Sequence, residues 1–88
     1  MPATIVAKTS RAKRVVTRRE LEILALVASG RSTAEIARVL WISEETVRTH
    51  IRRMHGKLGA RTRAHAVAIA FCRGLLTVRR ESGEEVPT

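Results

Sequence analysis

A short stretch near the middle of this 88-residue chain carries three side chains that can bind nucleic-acid bases. Arg48 and Arg52 are four residues apart, and Thr49 follows the first of them. Residues four apart on an α-helix lie on neighbouring turns of one face. A guanidinium group can donate two hydrogen bonds to O6 and N7 of guanine, and a threonine can offer a hydroxyl to a base edge or its methyl group to thymine. On one helix, these side chains could read the edges of DNA base pairs.

The segment around these residues has the pattern of an amphipathic helix. Its apolar residues are Val47, Ile51, Met54 and Leu58. At about 100° per residue they fall within an arc of roughly 60°. Ser43 is a good N-cap, and Gly59 suits the residue that ends a helix. The sequence therefore predicts a helix at about 44–58, with an apolar back and a cationic front.

An ordinary solvated helix face is the alternative explanation for Arg48 and Arg52. Glu45 is the only carboxylate that we place on the outward arc, whereas a face built for salt bridges would carry more carboxylates. Arg53 lies further round the helix and is better placed to reach phosphate. His50 lies at the edge of the apolar stripe, so we interpret it as a packed histidine that donates to a backbone carbonyl.

Capping signals predict three further helices. Thr17–Glu20 and Ser32–Glu35 have the form S/T-x-x-E, the capping box in which each side chain satisfies a backbone N–H of the first turn. A fourth helix starts at Thr62 or Arg63 and ends at Gly74. The helix after Ser32 and the helix after Ser43 are joined by a short turn, which is the helix-turn-helix pattern, and the second helix of such a pair fits the DNA major groove.

Charge and length restrict the function classes. The 17 lysines and arginines against 8 acidic residues give a formal net charge of +9, which favours a polyanionic partner such as nucleic acid, or less often an anionic membrane. One small domain has little room for a deep pocket, and no nucleophile, base and orienting acid can be assembled, so we do not expect an enzyme. The three histidines and the single cysteine lack metal-ligand spacing, so we predict no metal and no cofactor. No stretch is long and apolar enough to span a membrane, and we expect a cytoplasmic, nucleoid-associated protein.

The two ends of the chain differ from its centre. We predict a flexible basic arm at residues 1–15, a folded domain at 16–76 and a disordered polar tail at 77–88. Thr4–Ala7 could form a short strand, but nothing nearby would pair with it. The arm could track phosphates, enter a minor groove or only raise non-specific affinity. Its basic residues are Lys8, Arg11, Lys13 and Arg14.

A series of short motifs runs through residues 16–76. The motifs are TxRE-x-E at Thr17–Glu22, G-x-S at Gly30–Ser32, EIA at Glu35–Ala37, L-x-IS at Leu40–Ser43, TV-x-x-H at Thr46–His50, KLG at Lys57–Gly59, Arg63, Ala66–Val67 and GLL at Gly74–Leu76. In this order and spacing they resemble the LuxR/FixJ-type, or GerE-like, helix-turn-helix domain of bacterial transcription regulators. The resemblance implies an all-α, four-helix fold that binds double-stranded DNA, with the third helix in the major groove and dimerisation through the fourth.

The resemblance also implies residue roles. It places Arg48, Thr49 and Arg52 at base-contacting positions. It places Thr46, Lys57 and Arg61 where the family often contacts the DNA backbone, and it allows the caps Ser32 and Ser43 to touch phosphate. Arg53, from its position on the helix, is the sixth expected contact to the DNA backbone. Helix capping explains the two serines equally well.

Two departures from the pattern stand out. Trp41 lies where many helix-turn-helix proteins have glycine, and a bulky residue with positive φ would be strained, so we expect another turn geometry. Members of the family usually carry a receiver or ligand-binding domain ahead of this one. Here only about 15 residues precede it, which indicates a standalone regulator or a fragment.

The fourth helix carries a stripe of small residues. Ala64, Ala68 and Cys72 lie at i, i+4 and i+8, and we hypothesise a two-fold homodimer through them. The alternative is an alanine-rich surface of a helix with high propensity.

Two other functions remain open: a sigma-factor-like promoter module that contacts RNA polymerase, and a protein-interaction module or anti-activator that sequesters a related regulator.

Overall fold

The computed structural model describes residues 3–7, 16–80 and 85–86. The elements are β1 (Ala3–Ala7), α1 (Arg18–Ala28), α2 (Thr33–Leu40), α3 (Glu44–Leu58), α4 (Arg63–Cys72), β2 (Leu76–Arg80) and β3 (Glu85–Val86). The four helices confirm the predicted four-helix, helix-turn-helix fold. Among the described residues, no helix is both long and apolar enough to cross a lipid bilayer.

Each helix begins at a capping hydroxyl. The N-caps are Thr17, Ser32, Ser43 and Thr62. The first two are complete capping boxes, because Glu20 and Glu35 also accept the backbone N–H of their caps. These local hydrogen bonds fix the residues at which α1 and α2 begin, and therefore the position of the segment that precedes each helix.

All four helices end at a residue with a left-handed backbone. These residues are Gly30 (φ 90°), Trp41 (φ 58°), Gly59 (φ 71°) and Gly74 (φ 74°). The N–H of the following residue donates in each case to the carbonyl oxygen five positions earlier, as in the bond from Ile42 to Ala37 at 3.0 Å. This is the Schellman motif, which satisfies carbonyls that the helix itself leaves unpaired.

Trp41 corrects the expectation of another turn geometry, because it adopts the left-handed conformation in place of glycine. Its side chain is 92% exposed, so the indole meets no clash from the rest of the chain. Its N–H donates to Arg38 at 3.4 Å, and the bond from Ile42 completes the motif. These hydrogen bonds and the packing of half-buried Leu40 and Ile42 against the core hold the turn despite the strain that a non-glycine residue incurs.

The core lies behind α3. Its four predicted apolar residues, Val47, Ile51, Met54 and Leu58, are all buried. They meet buried side chains from the other helices and from the turn into β2. These include Ile23, Leu24, Ile36, Ala66, Ala70 and Leu75. The core therefore holds α3 from one side and leaves its other side to solvent.

A small antiparallel sheet corrects the predictions for the chain ends. β1 pairs with β2 from Ala3↔Arg80 to Ala7↔Leu76, and β2 pairs with β3. The expectation that nothing would pair with Thr4–Ala7 is therefore wrong, and residues 77–80 and 85–86 form strands where a disordered tail was expected. The partner of β1 lies some 70 positions away, and burial of Leu76 and Thr77 anchors it to the core. Lys8, Arg11, Lys13 and Arg14 lie outside the described residues.

Candidate nucleic-acid interface

The outward side of α3 carries exposed arginines. Arg48, Arg52 and Arg53 are all exposed, whereas Val47 and Ile51 on the opposite arc are buried. Neither Arg52 nor Arg53 forms an ion pair with any described residue. Two guanidinium groups on this face are therefore available to an acceptor outside the chain.

Arg48 has partners on its own helix. Its Nη1 lies 3.6 Å from Oε1 of Glu44, and its Nη2 lies 3.4 Å from Oε1 of Glu45. The sequence interpretation counted Glu45 alone and missed Glu44. All three side chains are about half exposed or more, and exposed pairs of this kind contribute only about 0.3–0.5 kcal/mol each. The Arg48 guanidinium can therefore exchange these carboxylates for another acceptor at small cost.

Thr49 is half-buried and donates its hydroxyl to the carbonyl oxygen of Glu45 at 3.0 Å. This bond uses its single donor. The oxygen lone pairs and the methyl group remain for contacts with other molecules. Thr49 can therefore accept a hydrogen bond or touch an apolar group, but it does not donate while this bond is intact.

The three hydroxyl residues expected at the DNA backbone are exposed and engaged in capping. Ser43 Oγ accepts the N–H of Thr46 at 3.0 Å and lies 2.8 Å from Thr46 Oγ1. Ser32 Oγ accepts the N–H of Glu35 at 3.1 Å. Capping thus accounts for both serines, while Thr46 gives the start of α3 a second hydroxyl.

Lys57, also expected at the backbone, is engaged in a contact that the sequence did not reveal. Its Nζ lies 2.8 Å from Oε1 of Glu20, whose side chain is only 2% exposed. The same oxygen accepts the backbone N–H of Thr17 at 2.9 Å. Burial alone would raise the pKa of the Glu20 carboxyl, but hydrogen bonds from Lys57 and Thr17 and the charge of Lys57 hold that pKa below its ordinary value. The pair joins the last turn of α3 to the first turn of α1.

A second missed contact joins α4 to α2. Nη2 of Arg63 donates to Oγ1 of Thr33 at 2.8 Å. Arg61, expected at the backbone, lies just before α4, where its own N–H donates to Nδ1 of His65 at 3.1 Å. The Arg61 side chain is exposed and forms no ion pair within the described part of the chain. It is therefore a third free cation beside Arg52 and Arg53.

Two histidines of α3 have ring nitrogens without partners. Nδ1 of His50 and Nε2 of His55 are buried and form no hydrogen bond with the described residues. The expectation that His50 donates to a backbone carbonyl therefore fails for Nδ1. Burial, and then the charge of Arg63, lower the pKa of His55, which favours its neutral form. Within the described ranges no three His, Cys or Glu side chains lie together as a metal site.

The stripe on α4 is open. Ala64, Ala68 and Cys72 are all exposed. The core-facing side of the same helix buries Ala66 and Ala70. Small residues on the outer face would let a second helix approach closely.

Comparisons with known proteins found matches to most of the helical part of this chain. The family described as bacterial regulatory proteins, luxR family, matches residues 14–70. The spore germination protein GerE of Bacillus subtilis (strain 168) is 43% identical over 60 residues, which cover 68% of this chain and 81% of GerE. The nitrate/nitrite response regulator protein NarP of Escherichia coli (strain K12) is 47% identical over 55 residues, which cover 62% of this chain and 26% of NarP.

Solved structures show the same fold. The structure of the transcription factor GerE aligns with a TM-score of 0.67 at 39% identity, covering 70% of this chain and 92% of that one. The Vibrio cholerae VqmA dimer, described in the absence of its target DNA, aligns with a TM-score of 0.67 at 32% identity, covering 77% of this chain and 31% of VqmA. The chain spans only 38% of the Bacillus subtilis (strain 168) regulatory protein YxjL and 29% of the Mycobacterium tuberculosis (strain H37Rv) protein NarL.

Proposed function

The chain belongs to the luxR family of bacterial regulatory proteins, and on this premise we propose that it binds specific double-stranded DNA with α3 in the major groove. The observation that carries the proposal is the asymmetry of α3, which presents exposed arginines on one side and on the other buries Val47, Ile51, Met54 and Leu58. A helix of this width fits the major groove, where arginine can discriminate guanine. The net charge of +9 adds attraction to phosphates.

We assign base contacts according to which donor and acceptor groups each side chain has available, for Arg52, Arg48 and Thr49. Arg52 has no ion pair to break within the described chain, so we assign it the main base contact. Arg48 joins it after it leaves Glu44 and Glu45. Thr49 contributes an acceptor or its methyl group, because its hydroxyl hydrogen is held by a backbone carbonyl.

The backbone contacts fall to the remaining exposed groups. Arg53 and Arg61 supply cations, and Thr46 supplies a hydroxyl at the start of α3. The hydroxyl oxygens of Ser32 and Ser43 continue to accept the capping N–H groups, so these serines contact phosphate only in their capping conformation. We assign Lys57 a positioning role through Glu20, since its ammonium group is already paired with a buried carboxylate.

A two-fold dimer through α4 would let two copies of α3 read two half-sites. In helix-turn-helix dimers such half-sites lie about 34–36 Å apart, one turn of DNA. The exposed stripe of Ala64, Ala68 and Cys72 supports close packing of two helices. The VqmA structure is described as a dimer of a LuxR-type receptor, which is a related protein that covers most of this chain.

The other functions considered from the sequence have less support. A domain that only sequesters a related regulator has no need of an exposed cationic α3. A sigma-factor-like module would need a surface for RNA polymerase in addition to this face. Contacts with RNA polymerase or a related regulator are therefore left out of the proposal.

The proposal is tested by a binding titration at several salt concentrations. DNA selected from a random-sequence library and a scrambled duplex of equal length are each labelled and titrated with the full chain. We expect the selected DNA to bind more tightly at every salt concentration, and log K to fall with a slope of about −0.9 per neutralised phosphate. Equal affinity for both duplexes, or no binding to either, would overturn the proposal.

A further inference from the structure

A groove runs along one side of β1. All four residues of Thr4–Ala7 line it, although successive side chains of a strand point to opposite faces. A groove that touches all four therefore follows the edge of the strand. In the described sheet, β1 has β2 as its only neighbour, so this edge has no strand beside it. The opposite wall comes from α1 and the end of α2, with apolar side chains at Ala25, Leu26, Ala28, Val39 and Leu40.

The edge of β1 lacks the usual protection. Natural proteins shield edge strands with charged side chains, proline or bulges, because free N–H and C=O groups invite another strand. The five residues of β1, ATIVA, contain neither charge nor proline. Within residues 3–7, 16–80 and 85–86, the groove therefore presents backbone groups without a strand beside them next to an apolar wall, which is the arrangement by which proteins accept an added strand.

Two exposed apolar residues lie at one end of this groove. Val39 is 50% exposed and Trp41 is 92% exposed, and they are the large apolar side chains that the described residues leave open. Val39 lines both the groove and a neighbouring shallow depression that contains Trp41 and Ile42. The apolar surface is therefore continuous from β1 to the turn before α3.

Trp41 is strained as well as exposed. It is the only non-glycine residue of the described chain with positive φ, whereas the three equivalent helix ends use glycine. An exposed indole in this conformation gains nothing from the packing of its own chain. Strained and exposed apolar residues are characteristic of contact sites.

The charged side chains around the groove indicate what kind of polypeptide segment it would bind. Arg31 lines the groove and Arg38 lines the neighbouring depression, and neither forms an ion pair with the described residues, although the charges of both contribute to lowering the pKa of Glu35. The two glutamates that line the same surface, Glu22 and Glu44, are each paired with an arginine. The rim is therefore left with excess positive charge. Such a rim attracts a segment with carboxylates, whereas β1 of a second copy would bring the same positively charged rim against it.

We propose that this groove binds an extended, acidic segment of a partner protein, which adds a strand to the edge of β1 and places an apolar side chain against Trp41. The backbone groups of Thr4–Ala7 supply the hydrogen bonds, the wall at Leu26 and Val39 takes alternate apolar side chains, and Arg31 and Arg38 take carboxylates. This surface contains none of the residues assigned to DNA contacts, although Glu44, which lines the depression beside Trp41, is paired with Arg48.

The test uses a labelled synthetic peptide of eight alternating valine and glutamate residues, titrated into the full chain by fluorescence anisotropy. One control peptide alternates valine and lysine, and another carries the valine–glutamate sequence with N-methyl groups on alternate amides. We expect methylation to weaken binding about tenfold because it removes strand hydrogen bonds. We also expect the acidic peptide to shift the amide resonances of Thr4–Ala7. Equal affinity for the methylated peptide, or shifts confined to α3, would overturn the proposal.

Trp41→Gly separates this role from a role in folding. Glycine adopts the left-handed conformation without strain, so the variant should melt at a higher temperature than the parent chain. Its affinity for the acidic peptide should nevertheless fall about tenfold, as for loss of a buried aromatic contact. Arg31→Gln should weaken the same peptide, while Arg18→Gln, which removes an exposed arginine outside the groove, should not. Unchanged peptide affinity in Trp41→Gly, or self-association through β1 in the absence of peptide, would overturn the proposal.

Discussion

The ammonium group of Lys57 and the carboxylate of Glu20 meet at 2.8 Å, although the two residues are 37 positions apart. Glu20 is at the same time the acidic member of the first capping box. One buried carboxylate therefore fixes both the start of α1 and the end of α3. The contact ties the last turn of α3, the helix that carries the exposed arginines, to the first turn of α1.

Replacing Lys57 should reduce stability more than replacing a neighbouring cation. Lys57→Met keeps the aliphatic stem and leaves the Glu20 carboxylate buried without its partner. We expect the free energy of unfolding to fall by about 2 kcal/mol, less than for a fully buried pair because the Lys57 side chain is 32% exposed. Urea denaturation measures this change. The control is Arg53→Met, at an exposed position of the same helix that forms no ion pair in the described part of the chain, and an equal loss in both variants would contradict the assigned role.

The same pair predicts how stability depends on pH. The pKa of the folded Glu20 carboxyl lies below its ordinary value of 4.5. At a pH between these two values, the unfolded chain therefore binds more protons than the folded chain. The stabilisation is fully present above pH 4.5 and is lost as the pH falls through the folded-state value.

Urea unfolding at several values from about pH 3 to about pH 7 should therefore show a smaller acid loss in Lys57→Met than in the parent chain. The pKa of Glu35 is also lowered, chiefly by a hydrogen bond from the Ser32 backbone, but this contribution is common to both proteins. Parallel pH profiles for the two proteins would show that the pair does not control the titration.

Removing the carboxylates beside Arg48 should strengthen DNA binding. In Glu44→Gln/Glu45→Gln, Arg48 is released from both ion pairs, and two negative charges leave the face that meets phosphate. We expect affinity for selected DNA to rise about three- to tenfold at low salt, and the gain to shrink as salt screens the charges. Anisotropy titrations measure it, with Glu22→Gln on α1, which removes one carboxylate instead of two, as the control. A gain in log K for the control that is half the gain of the double variant would mean that net charge alone is responsible.

A charge on the outer face of α4 tests the dimer. Ala68→Glu should keep the fold, because Ala68 is exposed, but it should place two carboxylates against each other across a two-fold axis. We expect sedimentation to show a loss of dimer, while Ala34→Glu, at an exposed alanine of α2, leaves it unchanged. Sedimentation of Ala68→Glu that matches the parent chain would place the dimer contact elsewhere.

Local signals predicted most of the framework, and long-range contacts account for what was missed. The capping boxes and the stripe of Val47–Leu58 involve residues within one or two turns, so their spacing is visible in the sequence. The partner of β1 and the pair between Glu20 and Lys57 are formed only when distant segments meet, and nothing in the local pattern marks them. Trp41 was misjudged because strain was considered without the hydrogen bonds of the Schellman motif that hold it.

The most direct test of the account compares the base preferences of Arg52→Ala and Arg18→Ala with those of the parent chain, by selection from a random DNA library. Both variants lose one exposed arginine that has no ion pair with the described residues, but only Arg52 lies on the outer face of α3. We predict that Arg52→Ala relaxes the preference at one base pair in each half-site by about 1–3 kcal/mol, whereas Arg18→Ala retains the parental preferences. Unaltered preferences in Arg52→Ala, or the same relaxation in both variants, would contradict the reading of DNA by α3.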